Sequence, residues 1–222
     1  PEHIEIFPAD STVAVAVRTD GGQLLDTVLR VAEQVIPSIP REFAQMERAV
    51  EIDPYNALVQ VLNGILLENT GRCEEALAFY RSTLEAAPNN PLAQGGMLRA
   101  YYCLEDYEET YKSAVAIWGA RGRPEAVTAL ENGYTEGGFE GAMSALADFR
   151  LEAATDMEPC GRAEFELAWA GRTEEALDCF ELLFEAHHPD MPYIGVWPIH
   201  IVPSLRNEPR LQELLRRMNL PV

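Results

Sequence analysis

Two stretches of this chain nearly repeat each other one hundred residues apart: TGRCEEALAFY at residues 70–80 and AGRTEEALDCF at residues 170–180. Both set a glycine, an arginine, two glutamates, an alanine and an aromatic residue at the same offsets. Self-similarity of this kind marks a chain built from repeated units, none of which can bury its apolar face alone. Each unit must stack on the next. Pro54 and Pro88 give a period of 34 residues.

The clearest unit covers residues 57–88, ALVQVLNGILLENTGRCEEALAFYRSTLEAAP. Gly64 and Ala76 are small where two antiparallel helices approach, Gly71 opens the turn, Tyr80 fills the gap between the helices and Pro88 ends the second. REFAQMERAVEIDP, with Met46, Ala49 and Pro54, reads as the second helix of an earlier unit. A further unit at 91–119 has Tyr101 and Ala114, but Glu105 stands at the turn glycine and Thr110 at the alanine. A third at 123–151 has Gly137, Phe139, Ala142 and Leu146; a fourth at 157–186 has Gly171, Ala176 and Phe180.

These residues resemble the tetratricopeptide repeat (TPR) family. The resemblance implies a mainly α fold, a TPR-like α-solenoid of antiparallel helix pairs over residues 41–222. It also implies a concave groove lined by the first helix of each unit. Mapped here, that rule gives Leu58, Val61, Ile65 and Asn69, then Arg99 and Tyr102, then Glu131 and Tyr134, then Phe165 and Trp169. Ile65 and Phe165 are equally well read as core. The lysine- and asparagine-rich clamp of chaperone-tail-binding members is absent, so an anionic carboxyl-terminal peptide is not the expected ligand.

Residues 1–40 have another texture. HIEIF and TVAVAVRT read as strands, the second alternating Val13, Val15 and Val17 with smaller residues. Asp20, Gly21 and Gly22 form a turn signal, and QLLDTVLRVAEQVI reads as a helix stopped by Pro37. This short β-β-α segment is expected either to cap the helical array or to be the remnant of an upstream α/β domain. An open strand edge there offers a place for a homodimer to form.

The tail, RNEPRLQELLRRMNLPV, reads as a closing helix over 208–218. Leu211, Leu214, Leu215 and Met218 form one apolar stripe, suited to cover the exposed face of the last helix pair. Its arginines can lie over the acidic flank formed by Glu174, Glu175, Asp178, Glu181 and Glu185. With Pro203, Leu205 and the Glu208–Arg210 run, this ending is similar to the carboxyl end of repeat regions in large bacterial signalling and regulatory proteins. In that group the repeats follow a cyclase, kinase or winged-helix domain. Asn207 and Glu208 depart from the Ser-Asp that the group prefers.

The formal net charge is -19, which disfavours nucleic acid as a partner. No apolar run is long enough to span a bilayer, and the start lacks the basic and apolar regions of a signal peptide. The motifs of phosphate-binding loops, dinucleotide folds, zinc proteases and serine hydrolases are missing. No cofactor or catalytic residue is therefore assigned. His187, His188, Asp190 and His200 form a weak alternative metal cluster, against the plainer reading of a helix terminus. Cys73, Cys103, Cys160 and Cys179 fall inside helical patterns and are expected as free, small apolar residues in a reducing cytoplasm.

The reading is a non-catalytic module for protein or peptide binding or self-association. The alternative is an enzyme or small-molecule sensor using the groove or the 193–203 loop. Sixteen of the seventeen basic residues are arginine, Lys112 being the exception, and 36 residues are acidic. If this acidity is an adaptation to salt rather than genomic bias, screening will relieve repulsion. The melting temperature should then rise clearly between low and molar KCl; a flat melting temperature would leave only the genomic explanation.

Overall fold

A computed structural model of the chain describes residues 4–9, 12–18, 24–25, 46, 48–155, 158–188, 191, 194, 204–205 and 207–220. Strand β1 (Ile4–Ala9) pairs antiparallel with β2 (Thr12–Arg18), with Ile6 opposite Val15. β3 (Leu24–Leu25) adds to the other edge of β2. Leu24 and Leu25 were expected to lie in a helix; they instead continue the antiparallel pairing. The remainder of that expected helix lies outside the described residues.

The helical part begins at residues 48–52 and continues as α1 (Ala57–Asn69), α2 (Cys73–Ala86), α3 (Pro91–Cys103), α4 (Tyr107–Ala120), α5 (Pro124–Glu152), α6 (Glu164–Trp169), α7 (Thr173–Glu185) and α8 (Pro209–Arg217). Local chemistry sets the starts. Asn56 and Asn90 accept hydrogen bonds from the second and third amides of α1 and α3, and Pro91 and Pro124 occupy first-turn positions. Asp106 caps α4 through Glu109 N. Each helix packs on the next along the chain, and α8 packs on α7. The result is a mainly helical, multi-helix packed fold with sequential contacts.

α5 is two helices joined at Gly137 and Gly138, which leave helical geometry (φ -142°, ψ 20° and φ 61°, ψ -145°). The second of these is a region open in practice only to glycine. This break falls where the third repeat places its turn. The other turns reverse through one left-handed residue: Gly71 at φ 77°, Gly171 at φ 74°, and Glu105 at φ 58°. Glu105 thus adopts the glycine conformation without being glycine, at a cost of about 1–2 kcal/mol.

Tyr80 is the hub of the first two helix pairs. Its ring is fully buried, and a Cβ at Gly64 would come to 2.5 Å from it, with Gly96 closer still on α3. Only glycine lets α1 and α3 close on the ring. A second, larger core runs from Ala114 to Leu215 and includes Leu130, Met143, Leu146, Leu167, Leu177 and Phe180.

The cysteines correct the sequence expectation. Cys73 is bonded to Cys103, tying the start of α2 to the end of α3, and Cys160 is bonded to Cys179 on α7. Disulfides form and persist in oxidising compartments. The cytoplasmic localisation is therefore withdrawn. Tertiary packing brings together residues 30 and 19 positions apart that the sequence pattern read as separate core positions.

α8 covers the end of the array. Leu211, Leu214 and Leu215 are buried and Met218 packs beside them, while among the described residues Arg216 pairs with Glu213 on its own helix. Leu214→Ala or Leu215→Ala should therefore cost about 2–5 kcal/mol. Arg216→Ala should cost under about 1 kcal/mol. Calorimetry on the variants checks this; near-normal melting of both leucine variants would show that α8 adds no stability.

Candidate functional site

Five aromatic side chains from α3, α4, α5 and α6 form one continuous cluster. Tyr102, at the end of α3, stacks on Trp169, at the end of α6, with centroids 4.7 Å apart. Tyr107 and Phe139 lie 4.9 Å apart, and Tyr102 touches both at 5.7 and 5.9 Å. Phe165 adjoins Trp169 at 6.3 Å. One turn beyond Tyr107 on α4, Tyr111 stacks on Tyr134 of α5 at 4.0 Å. These rings sit at the ends of first helices and the starts of second helices, so they gather along the turn side of the repeats.

The cluster is apolar below and open above. Trp169 is 5% exposed, and its Nε1–H has no acceptor among the described residues. Tyr107 and Tyr134 are 44% and 36% exposed, with Leu104 beside the turn at 38%. Burial raises the Tyr102 hydroxyl to a pKa of about 12, helped by the charges of Glu140 and Glu105. Burial also raises Tyr111, with Glu131 and Tyr134 adding to it. The Tyr102 and Tyr111 hydroxyls therefore stay protonated at any physiological pH.

The residues chosen from the sequence separate into three groups. Tyr102 and Trp169 meet directly, with Phe165 beside them, and Glu131 and Tyr134 meet at Tyr111. Val61 is wholly buried, with Ile65 packed against the same core. Leu58 and Asn69 are half-buried at opposite ends of α1, outside the row. Tyr107 and Tyr111 were missed as site residues. Their four-residue spacing places both on one helical face, the signal that could have found them.

Arg99, another groove candidate, is committed to a buried network. Its Nε donates to Glu68 Oε1 at 2.7 Å and its Nη2 to Oε2 at 3.3 Å, while the Tyr80 hydroxyl donates to Oε2 at 2.7 Å. Burial pulls the Arg99 pKa down, but the Glu68 carboxylate outweighs it and holds the guanidinium above its ordinary value. Tyr80 is pushed well above the usual phenol range, first by burial and then by Glu68. This charge pair joins α1 to α3 and serves packing.

A second buried acidic group lies near the start of α6. Arg150 donates to Glu166 Oε1 and to the Gly161 carbonyl, and Oε2 of Glu166 and of Glu164 has no hydrogen-bond partner among the described residues. Among the described residues no group of three or more His, Cys, Asp or Glu could hold a metal ion. His188 is buried with Nε2 3.3 Å from Glu158, and His187 is exposed at the end of α7. Asp190, His200 and most of the 193–203 loop lie outside the described residues. No described helix is long and apolar enough to cross a membrane.

Burial raises the Glu164 pKa above the ordinary 4.5. A carboxyl raised in the folded state binds its proton more tightly there than in the unfolded chain. Its contribution is fully present below the unfolded pKa and is lost as pH rises through the folded value. Glu164→Gln should therefore flatten part of the fall in melting temperature above about pH 4.5. Superimposable pH–stability curves for the two proteins would exclude a buried, destabilising carboxylate.

Comparison of the chain with protein-family models, with curated proteins and with solved structures returns no match in any of the three.

Proposed function

We propose that this chain is a non-catalytic protein-interaction module, a TPR-like helical array serving a bacterial regulatory or signalling protein and working in an oxidising compartment. The observation that carries the reading is the exposed aromatic row. Tyr107 and Tyr134 are exposed, and Tyr102, Phe139 and Tyr111, half-buried beside them, continue the row along two successive helix pairs. Exposed tyrosine is a recurrent feature of partner-binding patches, because it gives large contact area with little loss of side-chain freedom. Support for the TPR reading comes from the repeated Gly, Ala and aromatic positions and from helices that pack in sequence.

The rings sit on helices rather than on a long loop, so the surface is held in place before a partner arrives. Such preorganisation lowers the ordering cost of binding. The shape suits an extended or helical peptide laid across the repeats.

Selection from a random peptide display library against the intact, disulfide-bonded chain tests the reading. Enriched peptides should bind wild type and lose about tenfold or more in affinity against a Tyr107→Ala/Tyr134→Ala variant whose melting temperature is unchanged. A library that yields no enriched family, or peptides indifferent to both tyrosines, would remove this function.

A further inference from the structure

The chain covers many of its own rings with arginine. Arg81 lies 5.9 Å from the Tyr101 ring centroid, Arg123 5.1 Å from Phe149 and Arg217 4.4 Å from Phe184. Trp118 carries two, Arg121 at 5.3 Å and Arg150 at 5.6 Å. The exposed row is treated differently. Among the described residues no arginine or lysine stands over Tyr102, Tyr107, Phe139, Tyr111 or Tyr134.

The same holds for the acids that edge the row. Glu105 and Glu140 lie close enough to Tyr102, and Glu131 to Tyr111, to oppose ionisation of the hydroxyls. All three are exposed, and none forms an ion pair among the described residues. Glu108 and Glu109 on the same helix are engaged by Lys112, both at 2.8 Å. Glu105 is also held at φ 58°, where the equivalent turns use glycine. The exposed ring surface of Tyr107 and Tyr134, beside carboxylates without an ion-pair partner among the described residues, attracts one kind of ligand. A cation is drawn to the face of a ring by its quadrupole and to a carboxylate by its charge.

We propose that this row is a docking ledge for a cationic segment of a partner protein, carrying arginine or lysine at alternate positions of an extended chain. The proposal rests on the interaction-module reading and specifies its partner. The spacing follows from α4. Tyr107 and Tyr111 are one turn apart, about 6 Å along the axis. Residues two apart in an extended strand lie about 6.6 Å apart on one face. One cation then sits by Tyr107, Phe139 and Glu105 or Glu140, and the next by Tyr111, Tyr134 and Glu131. A net charge of -19 steers such a segment toward the surface, and the rings fix where it stops.

The test is fluorescence anisotropy on the intact chain with a labelled Gly-Arg-Thr-Arg-Gly peptide and its twin in which citrulline replaces both arginines. Citrulline keeps the shape and removes the charge. The arginine peptide should bind more tightly by about fivefold or more, the gain expected of exposed cation–π contacts at two sites. Tyr107→Leu and Tyr134→Leu leave net charge unchanged and should each weaken the arginine peptide about threefold, with unaltered melting temperatures. Equal binding of the two peptides overturns the proposal. So does arginine-peptide binding unchanged in both leucine variants, which would mean attraction to net charge alone. A dimer in light scattering that these variants dissociate would assign the ledge to a second copy, also against the proposal. Display-selected peptides that need the tyrosines but lack cations would leave the module reading standing and remove only the cationic ledge.

Discussion

The first half of the array depends on one ring. Tyr80 is wholly buried between Gly64 and Gly96, and its hydroxyl donates to Glu68, which also holds Arg99. Burying a phenol, a carboxylate and a guanidinium together is costly unless each finds partners, and here they satisfy one another. The arrangement is specific because any side chain at either glycine would strike the ring. Three helices are thereby held in one relative position. The disulfide from Cys73 to Cys103 joins the second and third of them, from the start of α2 to the end of α3.

That fixed geometry is what gives the aromatic row its value. Tyr102 leaves the end of α3, whose position Tyr80 and Arg99 determine, and reaches Trp169 on α6. Tyr107 follows immediately after the turn at Glu105, so the left-handed residue aims α4 and its two tyrosines. At the far end, Arg210 grips Glu174, Asp178 and Glu181 of α7 at 2.6 to 3.0 Å while the leucines of α8 close the core. Exposed ion pairs of this kind contribute little individually. Here they orient a helix whose stability comes from leucine burial.

The charge pattern then has a division of labour. Most arginines are consumed inside the chain, over rings or against carboxylates, and most of the surplus acid faces solvent. The surface proposed here for docking is aromatic and negative. Specificity in such a surface comes from the rings, since long-range attraction acts on any cation and does not select a position.

The sequence by itself determined the helices, their turns and the closing stripe of α8, because these depend on short-range spacing. Glycine or a left-handed residue in the turn within a helix pair, asparagine and proline at helix starts, and leucines at three and four are all local rules. The hub was legible in part: Tyr80 was read as a gap-filler, but Glu68 and Arg99 are 31 positions apart and no local pattern links them. Of the site, Tyr102, Tyr134, Glu131 and Trp169 could be named from the repeat register, while Tyr107 and Tyr111 carry only a one-turn spacing, which an ordinary solvated face also shows. Only the tertiary structure decided that Val61 is core, that Arg99 is engaged, that four cysteines pair, and that rings from four helices form one surface. Each of those depends on distances through space between residues distant in sequence, which helix packing sets and spacing along the chain does not encode.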